Sequence, residues 1–339
     1  MRLTIALVVI FLLSLLLTYF IHFFALKKNI LDKPNDRSMH QVPTPRGGGL
    51  AFVILFYAAL TFLKLDHLIA TDIFLSLLGG IPIACVGYCD DLFGVKARSR
   101  ALIHVVSAIW GIVCLHGVPI LNFGSVSFHS PVIFFIFGVF ITVWFTNLYN
   151  FMDGIDGLAA MEAAFVSAVA GIFLFFDGFR GLAFVCFTLT FSVLGFLVLN
   201  WPPAKIFMGD VGSGFLGYIF AMLMWTTNNQ HQLPFPIWWI LLSVFIADAS
   251  YTLIHRMIQK KKLSVAHREH AYQGLVQSGL THKQVTKGVL FINLLLCLPL
   301  ALCYLYLPIE LISAFLLLIV GSCWTVWFLI IKKYSYKNI

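Results

Sequence analysis

The sequence predicts an all-α protein that is embedded in a membrane and crosses it about eleven times. The chain is 60% hydrophobic and only 11% charged, whereas soluble domains are about half apolar and a quarter charged. Its mean hydropathy is +0.95. Apolar stretches that are long enough, or nearly long enough, to cross a hydrocarbon core of ~30 Å recur along the 339 residues. This composition excludes an ordinary soluble domain.

We expect the spans to form one membrane-embedded domain that comprises residues 1–339. The first apolar run resembles a secretory signal peptide, but it is too long, no small-residue cleavage site follows it, and Lys27 and Lys28 end it. It is therefore expected to be an anchor. The predicted spans are 3–26, 48–65, 69–88, 101–118, 131–149, 158–176, 181–199, 212–226, 237–254, 285–307 and 309–331.

The distribution of Lys and Arg predicts the orientation of the chain. With eleven spans, all of these residues except Arg2, Lys64 and Arg180 fall on the side of the first loop. Cytoplasmic loops carry the excess of positive charge, so the N-terminus is expected outside and the C-terminus in the cytoplasm. The net charge of +8 mostly reflects this topology signal. It also favours attraction to anionic lipid. It is not evidence for nucleic-acid binding.

The seven cysteines lie in or beside apolar spans and include no C-x-x-C pair. This placement is typical of small core residues. Neither disulfides nor metal–thiolate sites are expected.

Polar residues gather in five segments on the predicted cytoplasmic side. Charged groups are costly near a bilayer, so their concentration at one face indicates a functional site. Carboxylates beside basic residues and Gly-rich turns are what a site for a metal ion and a pyrophosphate needs. The segments are 27–47, 90–100, 147–157, 200–214 and 255–284.

Asp90 and Asp91 follow one of these spans directly. Two adjacent carboxylates repel each other unless a cation lies between them, and a hard ion such as Mg²⁺ accepts oxygen ligands together with substrate phosphates. The alternative is that Lys96, Arg98 and Arg100 simply pair with the two acids. The pair alone favours neither interpretation.

Asn147, Asn150, Asp153 and Asp156 recur every three residues. This spacing predicts one polar stripe at a helix end or in 3₁₀ turns. Capping of the next helix, which is expected near Leu158, would explain one of these residues. Four polar groups without a neighbouring Lys or Arg favour a ligand site.

The segment from Asn200 to Gly214 places Asp210 between glycines at the start of a span. Lys205 offers a point charge for phosphate, and Phe207 offers a flat face for a base or a sugar. The order of residues is not that of a P-loop. A Gly-rich helix entry is the alternative for Ser213 and its glycine neighbours.

His267 and His270 flank Arg268 in the longest cytoplasmic segment. No Cys or third His is spaced to complete a tetrahedral zinc site, so the group is expected to bind phosphate. Asp248 lies inside a predicted span. An acid at such a position is a functional candidate, and pairing with Arg256 would be the structural explanation.

The chain resembles the polyprenyl-phosphate N-acetylhexosamine-1-phosphate transferases, which form glycosyltransferase family 4. Five motifs in family order carry the resemblance, and the spans between them extend it over nearly the whole chain. They are D-x-P-x-x-R-x-x-H-x-x-P-x-P-R-G-G-G from Asp32, the DD pair, N-x-x-N-x-x-D-G-x-D-G-L from Asn147, F-M-G-D-x-G-S from Phe207, and the late His-containing segment.

The resemblance implies transfer of a sugar-1-phosphate from a UDP-sugar to undecaprenyl phosphate at the cytoplasmic face of a bacterial inner membrane, with release of UMP. It implies Mg²⁺, with Mn²⁺ as a substitute, and allows a homodimer. The implied catalytic residues are Asp90, Asp91, Asp153, Asp156, His267 and His270; Asp90, Asp91 and Asp210 are the implied metal ligands; and the implied substrate-binding residues are Lys33, Arg46, Asn147, Asn150, Asn200, Lys205, Phe207, Gly209 and Arg268.

The late segment distinguishes between branches of the family. The branch that uses a muramoyl-pentapeptide donor carries a run of adjacent histidines, whereas this chain has HREHAYQ. The O-antigen branch, with a simple N-acetylhexosamine donor, is therefore favoured, and GlcNAc, QuiNAc and FucNAc stay open. A transporter or lipid scramblase is the competing class, but it would place its polar groups at mid-membrane depth.

Overall fold

The computed structural model describes residues 2–34, 39–40, 42–118, 122–123, 126–127, 130–261 and 267–306. Within these ranges the protein is helical, as predicted, apart from two short ribbons of two strands. The helices are α1 (Arg2–Lys27), α2 (Gly49–Leu65), α3 (Thr71–Leu78), α4 (Gly80–Phe93), α5 (Ala97–Cys114), α6 (Pro131–Phe151), α7 (Leu158–Phe176), α8 (Arg180–Asn200), α9 (Asp210–Asn229), α10 (Phe235–Leu241), α11 (Ser243–Ile258), α12 (Ala271–Gln277), α13 (His282–Ile292) and α14 (Leu298–Tyr306).

Both ribbons are antiparallel and each strand has two residues. Strand β1 (Leu31–Asp32) pairs with β2 (Thr44–Pro45), with Leu31 opposite Pro45. Strand β3 (Asn122–Phe123) pairs with β4 (Val126–Ser127). The first ribbon matters for the site, because it ties the two ends of the first predicted cytoplasmic segment together.

Seven stretches of the described helices are long and apolar enough to cross a membrane, or eight if α10 and α11, bent by 78°, count as one span. The prediction of a multi-pass protein is confirmed to this extent, and the count of eleven stays a prediction. Helix α2, with 17 residues, and helix α9 match two further predicted spans but are not among the seven. The predicted span 309–331 lies outside the described residues. The seven are Thr4–Lys27, Thr71–Phe93, Ala97–Cys114, Pro131–Phe151, Leu158–Phe176, Arg180–Asn200 and His282–Tyr306.

Helix α9 forms the centre of the bundle. Its side chains are buried without interruption from Val211 to Thr227, and α2, α4 and α6 pack around it. Glycines permit the close contact: a Cβ added at Gly49 would lie 2.6 Å from the Cα of Gly212, and one at Gly217 would lie 2.7 Å from the Cα of Thr146. Asp210, the first residue of α9, is therefore held by the most enclosed helix.

A polar pair joins α7 to the last described helices. Asn293 begins a π-helical segment, Asn293–Cys297, between α13 and α14. Its Nδ2 donates a hydrogen bond of 2.5 Å to Oε2 of Glu162, and both side chains are fully buried. Among the described residues, Oε1 of Glu162 and Oδ1 of Asn293 have no hydrogen-bond partner.

The first and fourth polar segments lie against each other through their main chains. The amide of Phe207 donates to the carbonyl of Pro45 at 2.8 Å, and the amides of Gly48 and Gly49 donate to the carbonyls of Phe207 and Met208, both at 2.9 Å. These main-chain hydrogen bonds therefore hold Arg46 and Phe207 next to each other at the site.

Candidate active site

A polar cleft with about 710 Å³ of empty space opens where the polar segments meet. Residues from four of the five segments line it, and the fifth, 90–100, reaches it through contacts with Asp210. The predicted gathering of these segments on one face is thus present in the fold. The lining residues are Asp32, Met39, His40, Arg46, Asn150, Asp153, Gly154, Ile155, Asp156, Asn200, Phe207, Met208, Gly209, Asp210, Gln273 and His282.

Five charged side chains form an alternating chain beside the cleft, in the order Asp91, Arg46, Asp210, Arg100, Asp90. Nε of Arg46 lies 2.7 Å from Oδ1 of Asp91, and its Nη2 lies 3.2 Å from Oδ1 of Asp210. Nη1 of Arg100 lies 2.6 Å from Oδ2 of Asp210 and also contacts Oδ2 of Asp90. Each carboxylate therefore has a guanidinium partner.

Asp91 is also bound to the beginning of α9. Its Oδ1 accepts the backbone amide of Asp210 at 3.0 Å, and its Oδ2 accepts that of Val211 at 3.3 Å. An acid at a helix N-terminus satisfies free amides and complements the helix dipole. Gly209 makes room for it: φ is +78° there, and an added Cβ would collide with the Asp91 carboxylate.

The carboxylates differ in their fitness as metal ligands. Within the described part of the chain, no three His, Cys, Asp or Glu side chains form a group that could hold a metal by themselves. Both oxygens of Asp91 already accept from α9. Asp90 and Asp210, however, direct one oxygen each at the same nitrogen of Arg100. Two converging carboxylates fit Mg²⁺, which takes one or two from a protein and completes its shell with water and phosphate.

Burial and charge shift the protonation equilibria in the cleft. Burial raises the pKa of Asp153 well above its ordinary value, and the neighbouring carboxylate of Asp210 raises it further, against the opposing effect of Arg46. Burial alone would lower the pKa of Arg46, but Asp91 and Asp210 raise it above its usual value. The guanidinium of Arg46 therefore stays charged.

The predicted stripe is only partly directed at the cleft. Asn150 lines the cleft and donates to Oγ of Ser213 at 2.9 Å, and Asp153 and Asp156 line it as well. Asn147 instead donates to the carbonyl of Val143 at 2.7 Å, within its own helix. Its position one turn earlier on α6 keeps it away from the cleft.

Asp156 is fixed by contacts from two other segments. Its Oδ2 accepts the amide of Ala204 at 3.0 Å, and its Oδ1 lies 3.2 Å from Nδ1 of His282. Burial would raise the pKa of Asp156, but the His282 and Ala204 hydrogen bonds lower it below its ordinary value. Thr286 also donates to its main-chain carbonyl at 3.0 Å. A carboxylate and an imidazole thus face the cleft together.

The fourth segment contributes a scaffold and an aromatic face. Asn200 lines the cleft, but its Oδ1 accepts the amide of Gly157 at 3.1 Å and its Nδ2 donates to the carbonyl of Ile206 at 2.9 Å. It therefore joins the third segment to the fourth. Phe207 is half-buried. Its ring contacts that of His40 edge-on, with the ring centroids 4.8 Å apart. Lys33 and Lys205 are exposed and are not among the lining residues.

The histidines and the arginine of the HREHAYQ motif support the site without lining the cleft. Buried His270 stacks on His267 with ring centroids 5.0 Å apart, and its Nδ1 lies 3.2 Å from Oδ1 of Asp248. Asp248 also accepts the amides of Ala271 and Tyr272 at 2.9 and 3.1 Å. Asp248 therefore anchors α12, whose Gln273 lines the cleft. Neither His267, Arg268 nor His270 is a lining residue.

Two ion pairs lie within the late segment, 255–284. Glu269 accepts from Nη1 of Arg256 at 2.8 Å and from Nζ of Lys261 at 3.0 Å. Arg256, the expected partner of Asp248, thus pairs with Glu269. Burial, with a smaller effect of His270, lowers the pKa of His267 to about 4.

Arg100, His282 and Gln273 are among the residues of the site that the sequence reasoning missed. Arg100 appeared only as the partner in the alternative explanation of Asp90, and the structure gives it that pairing together with Asp210. Gln273 lines the cleft from within HREHAYQ but was not named as a site residue, and His282 lines it from outside that motif. The capping signal T-x-x-Q at Thr281 places His282 at a helix start, which was the one local signal available.

Comparison with known proteins identifies the family of the chain. Residues 73–228 match glycosyl transferase family 4. The chain is 30% identical over 296 residues to the undecaprenyl-phosphate alpha-N-acetylglucosaminyl 1-phosphate transferase of Escherichia coli K12, covering 82% of this chain and 77% of the relative. It is 29% identical over 297 residues to the "Probable undecaprenyl-phosphate N-acetylglucosaminyl 1-phosphate transferase" of Bacillus subtilis, covering 83% and 79%.

The matched family region contains Asp90, Asp91, Asp153, Asp156 and Asp210, which are the acids in and beside the cleft. The similarity to the relatives extends beyond this region to more than four-fifths of the chain. This protein therefore belongs to glycosyl transferase family 4.

Proposed function

We propose that this protein transfers N-acetylhexosamine-1-phosphate from a UDP-sugar to undecaprenyl phosphate and releases UMP. The observation that carries the proposal is the cleft, which combines a cation, Arg46, with an aromatic face, Phe207, and several acids at the ends of apolar helices. The relatives named above are transferases of this kind. The product would be the lipid-linked sugar that begins an O-antigen or a related envelope polysaccharide.

The cleft suits the donor. Phe207 can stack on the uracil ring, and the guanidinium of Arg46 can bind the diphosphate. Asn150 and Asp153 supply hydrogen-bonding groups for the ribose or the sugar.

The acceptor would approach from the bilayer. Its polyprenyl tail stays among the lipids, so only its phosphate needs to reach the charged chain. Asp90 and Arg100 lie at the ends of two spans, beside the exposed side chains of Phe93 and Leu102. This edge of the site is therefore the proposed entry for the acceptor phosphate.

We propose Mg²⁺ as the cofactor, with Mn²⁺ as a substitute. Asp90 and Asp210 would hold it, and Asp91 would act indirectly by fixing the start of α9. A bound divalent ion offsets the repulsion between two anionic substrates and stabilises charge on the transferred phosphoryl group.

The residues of the site position and neutralise rather than react. In the proposed direct route, an oxygen of undecaprenyl phosphate attacks the sugar-bearing phosphorus in line, and the bond from that phosphorus to the UMP oxygen breaks. Arg46 stabilises the negative charge on the donor. In the alternative two-step route, an aspartate attacks first and carries the phosphosugar. Exchange of labelled UMP into the donor without any acceptor would distinguish the two-step route.

The reaction itself is tested with purified protein in nanodiscs that contain undecaprenyl phosphate. Radiolabelled UDP-GlcNAc should give UMP and a lipid-extractable sugar in equal amounts when Mg²⁺ is present. Asp210→Asn is the inactive control, and Arg98→Gln, which changes an exposed residue, is the matched active control. Failure to form lipid-linked sugar from any UDP-N-acetylhexosamine would contradict the proposal, and movement of lipid or solute across the bilayer would favour the transporter class.

The donor sugar is assigned by competition. We expect a simple UDP-N-acetylhexosamine to be used and UDP-MurNAc-pentapeptide to be rejected. Equal amounts of both donors, with product identified by mass, measure the preference directly. Preferred use of the pentapeptide donor would move the protein to the peptidoglycan branch.

Phe207 provides a test of the donor pocket. Loss of a stacked base costs about 1–3 kcal/mol, so Phe207→Ala should raise the KM for the UDP-sugar roughly 5- to 150-fold. The KM for undecaprenyl phosphate should change little. Equal effects on both substrates would place the uridine elsewhere.

A further inference from the structure

Two carboxylates of the site share one cationic atom. Nη1 of Arg100 lies 2.6 Å from Oδ2 of Asp210 and also contacts Oδ2 of Asp90. Asp90 lies in the last turn of α4, Arg100 lies in the first turns of α5, and Asp210 begins α9. Three separate helices therefore direct two negative oxygens at a single positive nitrogen.

The other arginine does not duplicate this contact. Arg46 binds Asp91 at Oδ1 and Asp210 at its second oxygen, Oδ1, at 3.2 Å. Asp91 is held in addition by the amides of α9. If Arg100 moved away, the Arg46 contacts would remain, and Oδ2 of Asp90 and Oδ2 of Asp210 would face each other without a cation. Such a pair either binds another cation or takes up a proton.

We propose that Arg100 is a built-in competitor of the divalent cation: its guanidinium and the ion bind the same two carboxylate oxygens, so that entry of one releases the other. The inference rests on the proposed function in assigning a divalent ion to this site. Charge balance supports the exchange. Three carboxylates and two guanidiniums leave one negative charge, and replacing the single charge of Arg100 by a double charge neutralises the cluster.

The exchange gives Arg100 two functions. It screens the acids from one another without the ion and so lowers the affinity for the ion. Once released, its planar fork can bind a phosphate oxygen pair, and its side chain is about one-third exposed. Arg100 is then a positioning residue whose availability to a phosphate depends on occupancy of the carboxylate pair.

Binding of Mn²⁺ in the absence of either substrate tests the competition. The free Mn²⁺ signal in electron paramagnetic resonance is titrated with purified wild type, Arg100→Gln and Arg98→Gln. Arg98 is exposed and lies two residues from Arg100 on α5, so both variants lose one positive charge from the same turn. We expect Arg100→Gln to bind Mn²⁺ at least about fivefold more tightly than wild type, which is the lower end of the coupling that is typical between two binding events. Arg98→Gln should stay close to wild type.

Several outcomes overturn the inference. Equal Mn²⁺ affinity in Arg100→Gln and Arg98→Gln would show that only the net charge of the protein matters. Weaker or no Mn²⁺ binding in Arg100→Gln would show that Arg100 promotes binding of the ion. In the double variant Asp90→Asn/Arg100→Gln, the gain in Mn²⁺ affinity should be lost. A gain that persists in the double variant would place the ion elsewhere. If Arg100→Gln aggregates, Arg100→Ala replaces it, and an affinity equal to wild type would contradict the competition.

The readout also separates this inference from the proposed function. It needs neither the UDP-sugar nor undecaprenyl phosphate. Tighter Mn²⁺ binding in Arg100→Gln without transferase activity in wild type would uphold the competition and refute the transferase. Normal transferase activity in wild type with unchanged Mn²⁺ affinity in Arg100→Gln would support the transferase and refute the competition.

Discussion

At the scale of single residues, neighbouring acids of the site have different surroundings. Asp91 is 1% exposed in its side chain and accepts two amides of α9, whereas Asp210 points towards both arginines. Asp210→Asn should lower turnover by at least ~10²-fold, because loss of one charge from a preorganised site costs about 3 kcal/mol. Its melting temperature should change little. Turnover in nanodiscs and thermal unfolding are measured on the same preparation.

Asp91→Asn should lower both turnover and the melting temperature. Asparagine has one acceptor oxygen, so its amide nitrogen would face an amide of α9, and the ionic part of the contact with Arg46 would be lost. Asp177→Asn, at an exposed acid far from the cleft, controls for loss of charge. An Asp91→Asn protein that is inactive but fully stable would show that Asp91 acts on the substrates or the ion directly.

His267 predicts a dependence of stability on pH. Burial lowers its pKa to about 4, against an ordinary value of about 6.5. Between these values the unfolded state binds more protons than the folded state, so stability should rise with pH from about 4 to 6.5 and level off above. His267→Gln should flatten this rise. Chemical unfolding in detergent at a series of pH values measures it, and an unchanged slope in the variant would assign the effect to another group.

The acids of the site were predictable because each stands in a dense polar cluster within an apolar sequence. Asp90, Asp210 and Asp153 all belong to or adjoin the cleft. His282 was not predictable in this way, since its partner Asp156 lies 126 positions away. Lys205 shows the opposite error: a basic residue inside a motif can project into solvent, and sequence alone does not give the direction of a side chain.

At the scale of elements, the pair of Glu162 and Asn293 links α7 to the π-helical segment through one hydrogen bond. Among the described residues, one oxygen of each side chain has no donor. Glu162→Gln supplies an amide donor for Oδ1 of Asn293, so it should preserve or raise the melting temperature. Asn293→Leu removes the donor to Glu162 and should cost about 1–3 kcal/mol. A lower stability of Glu162→Gln than of Asn293→Leu would contradict this account.

The helices were predictable from their apolar runs, but their breaks were not. The predicted span 69–88 is divided between α3 and α4 at Gly79. An added Cβ at Gly79 would collide with the hydroxyl of Tyr218, so the glycine at this position permits a close contact with α9. The π-helical segment likewise begins at Asn293, whose buried partner Glu162 lies on α7. Such features depend on residues far away in the chain.

At the scale of the whole molecule, the site requires all polar segments on one side of the membrane, and the Lys and Arg pattern predicts that this side is cytoplasmic. Single cysteines at Ser99, Lys205 and Ser278, which are exposed, should resist an impermeant thiol reagent in intact cells and react in inverted vesicles. A cysteine at exposed Asp177 should behave in the opposite way. The background must lack the seven native cysteines, because Cys85 and Cys89 are exposed.

Labelling of the Lys205 site from outside intact cells would reject the predicted orientation. The shared cleft already requires that the Lys205 and Ser278 segments face the same compartment, so a split result between them would instead reject the packing. The two kinds of error are thus distinguishable in one experiment.

The enclosure of α9 has a consequence for how the protein is made. Its packing partners α2, α4 and α6 all precede it in the chain, and chains are synthesised from the N-terminus. Helix α9 is not among the seven stretches that qualify as spans by their own composition. Its entry into the bilayer would therefore depend on a receiving groove built by earlier helices. Asp210 would join the other acids only at that step, so that catalytic competence arises during biogenesis as a product of insertion order.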